Sequence, residues 1–317
     1  MSKQLESYRI TINAGGEIGS VGEARVSPLD HGFLYGDSVY ETVRTYHGVP
    51  FLLDRHLERL QRSLDRVFIP LPISRNELRA EIEKTVNAYW QGYRTDEDVA
   101  VRAVISRGEG PIGLDFSLCE RSSFLVYVFQ LPKLDAALYE TGIRVVLSKV
   151  RRNHPRALDP GIKSGNFLNN ILAYKDAKDA GAQEAIISGS EGYLAEGTTS
   201  NIFVVKDGLV WTPHPFGILD GITRAVVFEE ARAAGIPLGE TNIPPEALFS
   251  ADEAFITSSL KAVLPVTRVN GQAVGDGRPG PVTRRLLSLY LARVERECRS
   301  PLATNKIGTV PYFSEEK

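Results

Sequence analysis

The sequence predicts a mixed α/β (α+β) fold arranged in two halves, on three observations. First, 317 residues exceed the roughly 100–200 typical of one domain and can bury a sizeable core. Second, segments with the two-residue period of strands alternate with segments of helical period. Third, the proline-bearing stretch Leu131-Pro-Lys-Leu-Asp135 separates one such series from the next. Domains are therefore expected over residues 1–130 and 137–300, joined by a linker at 131–136 and followed by a loosely held tail over 301–317.

In the first half, Tyr8 to Asn13 alternates as a strand, and Ala14-Gly-Gly-Glu17 reads as its hairpin turn. Asp30 to Asp37 is a turn leading into a strand from Val39 to Tyr46. Its alternation puts Tyr40, Thr42 and Arg44 on one face and Val39, Glu41 and Val43 on the other. A hydroxyl-bearing ring, a threonine and an arginine on one face suit either a solvated surface or a pocket wall for a carboxylated ligand. Leu57, Leu60, Leu64 and Val67 mark the buried stripe of a helix from Leu53 to Val67. Ser74 and Glu77 form a capping box that opens a second helix, with Leu78, Ile82, Val86 and Tyr89 inward. Val99 to Ser106 and Ser123 to Phe129 are strands, and Arg107 to Gly113 must loop between them.

In the second half, a strand from Ile143 to Val150 precedes Asp159-Pro-Gly-Ile-Lys163. Pro160 and Gly161 place Lys163 on an extended or turning segment. Leu168, Ile171 and Leu172 then recur at helical spacing, which predicts a helix to about Ala180 that buries this face. Glu184 to Ser188 is a strand, and Glu196 falls in the polar turn from Tyr193 to Asn201. Ile202 to Lys206 and Leu209 to Thr212 pair across Asp207-Gly208. Gly217 to Arg224 opens a helix ending near Gly235, and a strand from Ala254 to Thr257 carries Ser258 and Ser259 at its end. Asn270-Gly271 is another hairpin turn, and a closing helix spans Val282 to about Glu297.

Composition excludes several classes of function. Lys and Arg number 37 against 39 Asp and Glu, so no concentrated charge favours nucleic acid or a membrane surface. Cys119 and Cys298 are isolated from each other and from histidine clusters, which argues against a metal site and a disulfide framework. The N-terminus has no apolar signal core, and no apolar run is long enough to span a bilayer. A cytoplasmic soluble protein is expected.

Chemistry concentrates at a few positions. A lysine pressed against apolar surface is a potential nucleophile, and Lys163 fits that description. Gly221-Ile222-Thr223 opens a helix whose free amides and dipole favour an anion, although Thr223 could simply cap it. Ser258 and Ser259 could add hydroxyl donors or merely form a turn. Arg59 lies off the apolar stripe of its helix, suited to a phosphate dianion or to solvent. Glu196 could hold a proton on a ring nitrogen or stay exposed.

The order of these pieces resembles the class IV, or fold-type IV, pyridoxal-phosphate enzymes: branched-chain aminotransferases, D-amino-acid aminotransferases and aminodeoxychorismate lyases. The pieces that carry the resemblance are Asp30-His-Gly-Phe-Leu-Tyr-Gly-Asp-Ser-Val-Tyr-Glu-Thr-Val-Arg44, His56-Leu-Glu-Arg-Leu60, Ile162-Lys-Ser164, Glu196-Gly-Thr-Thr-Ser-Asn201, Gly217-Ile-Leu-Asp-Gly-Ile-Thr-Arg224 and Ala251-Asp-Glu253. The resemblance implies a small N-terminal α/β domain and a larger, barrel-like C-terminal α/β domain that binds pyridoxal 5'-phosphate. It implies that Lys163 forms the Schiff base and Glu196 contacts the pyridine nitrogen. Arg59, Ile222 through its amide, Thr223, Ser258 and Ser259 would surround the phosphate, and Leu219 would pack on the ring. Phe167 stands where many branched-chain enzymes have a tyrosine for the ring hydroxyl, so that partner has no candidate.

The same resemblance implies amino-acid and 2-oxo-acid substrates and a homodimer. Tyr35, Tyr40, Thr42, Arg44, Arg107 and Lys261 are the substrate-site candidates. Arg107-Gly-Glu-Gly-Pro lacks the Arg-x-His of bacterial D-amino-acid aminotransferases, whereas Tyr40-Glu-Thr-Val-Arg44 is similar to the Phe-Glu-Gly-Ile-Arg of branched-chain enzymes. Transamination of L-branched-chain amino acids with 2-oxoglutarate is thus the leading expectation. Lyase chemistry on aminodeoxychorismate, D-amino-acid or amine transamination, and a non-catalytic binding protein are the alternatives.

Overall fold

The computed structural model describes residues 8–299, which form two compact units. The first runs to Pro132 and takes in Ile162–Asn166; the second holds Lys133–Gly161 and the chain from Phe167 onward. The N-terminal Met-Ser-Lys-Gln-Leu-Glu-Ser and the tail expected over 301–317 lie outside the described residues.

The first unit is built on six strands: β1 (Ile10–Ala14), β2 (Glu17–Gly19), β3 (Ser38–Tyr46), β4 (Val49–Pro50), β5 (Val99–Ser106) and β6 (Ser123–Gln130). They lie in the order β2-β1-β6-β5-β3-β4, each antiparallel to its neighbours. A short helix α1 (His31–Tyr35) precedes β3, and α2 (Leu53–Val67) and α3 (Arg75–Tyr93) follow β4. Alternation divides the sheet as expected. Val39, Val43, Val101, Ile105 and Val126 face a core filled by Leu57, Leu60 and Leu64 of α2 and Leu78, Ile82 and Val86 of α3. Ser74 and Glu77 close the expected capping box at the start of α3.

The second unit carries β7 (Ile143–Arg151), β8 (Glu184–Ser188), β9 (Leu194–Gly197), β10 (Asn201–Lys206), β11 (Leu209–Pro213), β12 (Leu238–Thr241), β13 (Glu253–Ser258), β14 (Ala262–Val269) and β15 (Gln272–Ala273). Their order is β12-β11-β10-β13-β14-β7-β8-β9, with β15 on β14. Strands β9 and β10 stand far apart on that path, yet only residues 198–200 connect them, and the Gly197 amide donates to the Ser200 carbonyl at 2.7 Å. The sheet therefore curls until its end returns beside β10, which is the barrel-like form expected. Helices α4 (Leu138–Thr141), α5 (Leu168–Asp179), α6 (Ile222–Ala233), α7 (Ala247–Ser250) and α8 (Pro281–Cys298) complete the unit. Asp207-Gly208 and Asn270-Gly271 all take positive φ, between 49° and 83°, as tight hairpins of right-twisted strands require. No described helix is long and apolar enough to cross a membrane.

Two expectations are corrected. Helix α5 exists where the period placed it, but Leu168, Ile171 and Leu172 are 63%, 61% and 50% exposed. Its buried residues are Ala173 and Ala177, with Ala177 packed against Val146 and Ala185. Alanines four apart let the helix approach the sheet closely, and that spacing outranked the bulk of the leucines. Glu196 lies inside strand β9 rather than in a polar turn, and is 4% exposed.

Because Ala177 is fully enclosed, Ala177→Leu should overpack this contact and cost about 1–3 kcal/mol. Urea unfolding followed by circular dichroism measures the loss; unchanged stability would mean that α5 packs through another face.

Candidate active site

Lys163 sits on a segment that pairs with the edge of β3 that β4 leaves open. The Tyr40 amide donates to the Lys163 carbonyl at 2.9 Å, the Gly165 amide to the Ser38 carbonyl at 2.7 Å, and Ser164 bridges Val39. The Lys163 amide donates to Ser63 Oγ of α2 at 3.2 Å. A Cβ on Gly165 would come within 2.2 Å of Ser38 Oγ, so this approach needs glycine. The side chain lies half-buried over Tyr40, its Nζ donating to the tyrosine hydroxyl at 3.2 Å and 4.5 Å from the ring centroid.

Tyr40, Thr42 and Arg44 share the sheet face opposite the core, as alternation predicts. The structure adds Arg102, which faces Thr42 across the β3–β5 pair and escaped the sequence analysis. Its Nε donates to Thr42 Oγ1 at 3.3 Å, and its guanidinium lies 4.8 Å from the Tyr40 ring centroid. Arg44 lies 4.1 Å over the Tyr46 ring. The signal was a charged residue inside the apolar run Val99 to Ser106, on the face that register assigns to Thr42. Ammonium, phenol and two guanidiniums thus lie along one wall.

The structure gives Arg107 another task. Its guanidinium pairs with Asp37 and donates to the Val67 and Phe68 carbonyls at the end of α2, at 2.8 and 3.1 Å. It clamps a helix C-terminus. Tyr35 is 38% exposed, and its hydroxyl accepts from the Gly113 amide at 3.1 Å.

Arg59 is buried rather than solvated. Its Nε and Nη2 donate to the two oxygens of Glu41 at 2.7 and 2.8 Å, while His56 Nδ1 lies 2.8 Å from Glu41 Oε2. Burial by itself would raise the Glu41 pKa, but the charge and hydrogen bonds of Arg59, with those of His56, drive it far below the usual carboxylate range. Burial lowers the His56 pKa, opposed by its bond to Glu41. An ionised Glu41 can only accept, so the neutral His56 ring keeps its proton on Nδ1. The guanidinium plane is fixed by this lock.

In the second unit, Glu196 receives Arg152 Nε on one oxygen at 2.8 Å and the Leu219 amide on the other at 3.0 Å. Arg152 is a further residue that the sequence analysis missed, and the Asn169 and Asn170 side-chain oxygens accept from its Nη1 at 2.9 and 3.1 Å. Asn201 Nδ2 donates to the Leu219 carbonyl at 2.9 Å, holding the loop before α6. Ile222 and Thr223 are the first residues of α6, where amides have no intrahelical acceptor, and Thr223 is 3% exposed. A Cβ on Gly221 would lie 2.0 Å from Asn201 Oδ1, so the turn accepts only glycine. Thr257 Oγ1, one residue before Ser258, is buried with no hydrogen-bond partner.

Ser258 takes the simpler of its two readings, its Oγ accepting from the Lys261 amide at 3.2 Å in a turn that presents Ser259. The Lys261 Nζ donates to Glu184 Oε2 at 3.1 Å. Among the described residues no His, Cys, Asp and Glu group could hold a metal ion.

Residues 38–269 match the family described as Amino-transferase class IV. The chain belongs to that family. It is 37% identical to a putative branched-chain-amino-acid aminotransferase of Methanocaldococcus jannaschii, over 83% of this chain and 89% of the relative. It is 35% identical to an aminodeoxychorismate lyase of Bacillus subtilis, over 86% and 91%. Its structure resembles the T.th. branched-chain amino acid aminotransferase crystallised with pyridoxamine 5'-phosphate, with a TM-score of 0.83 and 28% identity over 92% and 95% of the chains. The fold is therefore fold-type IV, the chain is an enzyme, and its cofactor is pyridoxal 5'-phosphate. The donors present fit that group. Taken unit by unit, the free helix amides and the hydroxyl at 222 and 223 suit a phosphate and the fixed carboxylate at 196 suits a protonated ring nitrogen in the second, while the amine at 163 suits an aldehyde in the first.

The buried pair gives a pH dependence of definite sign. Both folded pKa values lie below the unfolded ones, so both groups contribute stability that is complete above the unfolded value and is lost on acidification. His56 begins to cost stability as pH falls below 6.5, and Glu41 only below 4.5. Thermal melts from pH 8 to 5 on the protein and on His56→Gln should show a decline in the parent that the variant lacks in part. A His56→Gln curve parallel to the parent would exclude this account.

Proposed function

We propose that the chain is a transaminase that moves the amino group of an L-branched-chain amino acid to 2-oxoglutarate, acting in the cytoplasm as a homodimer. The observation that carries the reading is the wall on which the Lys163 amine meets the Tyr40 hydroxyl beside Arg44 and Arg102. Two guanidiniums at diagonal positions of adjacent strands suit the two carboxylates of 2-oxoglutarate. The names of the branched-chain relatives support the substrate class, and the exposed Leu168, Ile171, Leu172 and Tyr174 of α5 support association of two copies.

When bound, pyridoxal phosphate supplies an electron sink that stabilises negative charge at the amino acid's Cα. Lys163 would hold the cofactor's aldehyde carbon through its amine and would carry the proton from the substrate's Cα to that carbon, as base and then as acid. The Tyr40 hydroxyl orients that amine. Glu196, braced by Arg152 and the Leu219 amide, holds a proton on the ring nitrogen. Arg59, the Ile222 amide, Thr223 and Ser259 hold the phosphate, and Leu219 lies against the ring. Ser258 shapes the Ser259 turn.

Lyase chemistry is the second reading, favoured by the similarity to the aminodeoxychorismate lyase. D-amino-acid transamination finds less support, since residues 107–113 contain no histidine and Arg107 is engaged elsewhere.

Incubation with L-isoleucine and 2-oxoglutarate should yield glutamate; D-alanine with 2-oxoglutarate and aminodeoxychorismate serve as the competing substrates. Pyruvate and aminobenzoate formed only from the third would reverse the assignment. Lys163→Ala should abolish turnover, and borohydride should label Lys163 in the holoenzyme. Arg102→Leu should lower kcat/KM for 2-oxoglutarate about tenfold or more, the scale of one lost charge-assisted contact.

A further inference from the structure

Glu184 opens β8 and is completely buried, yet the proposed chemistry does not use it. Its Oε1 accepts from the Ala185 amide at 3.0 Å, from the Thr198 amide at 3.1 Å and from the Thr198 hydroxyl. Its Oε2 accepts from Ser200 Oγ at 3.2 Å and from Lys261 Nζ at 3.1 Å. Thr198 and Ser200 form the turn directly after Glu196, while Lys261 ends the turn that presents Ser259. Lys261 is fixed along its whole length. Its amide bonds Ser258 Oγ, its carbonyl accepts from the Tyr139 hydroxyl at 2.9 Å, and its ammonium reaches Glu184.

One carboxylate therefore joins the turn that follows the Glu196 strand to the turn that contains Ser259. Only an ionised acid accepts at both oxygens from this many donors; a glutamine would turn an NH₂ toward some of them. A cationic partner compensates a charge that would otherwise be costly so deep in the protein.

We propose that Glu184 and Lys261 are positioning residues: their ion pair sets the separation of Glu196 and Ser259, so that the ring-nitrogen contact and the phosphate contact are held in register for one cofactor. The pair touches neither contact itself. The inference rests on the roles of Glu196 and Ser259 proposed above, and the experiment separates its failure from theirs.

The holoenzyme is resolved to apoenzyme, and cofactor affinity is measured by quenching of intrinsic fluorescence on adding pyridoxal phosphate. A second readout is the pH midpoint at which the visible absorption of the bound cofactor changes, which reports the field at the ring rather than folding. Lys261→Met keeps the stem and removes the charge. It should weaken cofactor binding about tenfold, the scale of one buried charge-assisted bond, and should move the absorption midpoint. Lys261→Arg should restore most of both. Glu184→Gln should show the same pair of effects, and the double variant E184Q/K261M should lose little more than either single one, because both break one link. Should Glu184→Gln fail to fold, Lys261→Met and Lys261→Arg still decide the matter. Parental affinity and midpoint in Lys261→Met, with Ser259→Ala weakened, would overturn the coupling alone. Unchanged affinity in Ser259→Ala would overturn the phosphate assignment and this inference with it. A loss of affinity in Lys261→Met at an unchanged absorption midpoint, or one that Lys261→Arg does not restore, would reduce the pair to general stability and also overturn the proposal.

Discussion

The hydrogen bond from the Tyr40 amide to the Lys163 carbonyl is the constraint on which the first unit's chemistry depends. Strand β3 gives one edge to β5 over most of its length, and β4 reaches only Thr45 and Tyr46 on the other. The amides and carbonyls near Ser38 to Tyr40 would be left without partners inside the protein if nothing else arrived, a cost that folded chains rarely bear. Residues 162–166 supply the missing edge. In doing so they draw five residues of the second half of the sequence into the first unit and fix the backbone from which the lysine side chain departs. Its amine then meets the hydroxyl of the tyrosine whose amide holds its carbonyl, a closed arrangement in which backbone pairing and side-chain aim have one cause.

Much of this was legible in the sequence because it follows from period. A two-residue alternation in β3 separated Tyr40, Thr42 and Arg44 from Val39 and Val43, and the helical stripes of α2 and α3 named the core they face. Pro160 and Gly161 marked Lys163 as lying on irregular backbone. Pairing is what a single sequence conceals. Arg102 and Arg107 are five residues apart, and residue type does not separate them. Register sets Arg102 across from Thr42, whereas Asp37 and the last carbonyls of α2 capture Arg107. Helix α5 misled for a related reason. Leucine and isoleucine carry more transfer free energy than alanine, but a helix lying close on a sheet needs small residues at the contact, and Ala173 and Ala177 provide them.

Glu196 shows a third kind of concealment. The polar run from Tyr193 to Asn201 suggested a turn, and carboxylates are seldom placed in the middle of a buried strand. The strand forms because the sheet curls there and because Arg152 and the Leu219 amide wait for the charge, from positions 44 and 23 residues away in sequence. Neither partner leaves a local mark that a reading along the chain can detect.

Glu41, Glu184, Glu196 and Glu253 obey one rule across the molecule. Each is at most 6% exposed, and each is saturated by donors from distant segments: Glu41 by Arg59 and His56, Glu184 by Thr198, Ser200 and Lys261, Glu196 by Arg152 and Leu219, and Glu253 by the Val282 and Thr283 amides that open α8. As a source of stability such burial is a poor choice, since well-packed apolar groups of the same volume commonly do as well or better. Apolar contacts, however, hold a distance only loosely and an orientation hardly at all. A carboxylate met by donors from several directions cannot rotate without breaking one of them, so the loops that supply those donors are fixed in angle as well as separation. Holding a planar ring at one end and a phosphate at the other calls for that kind of fixity between segments that no continuous strand joins.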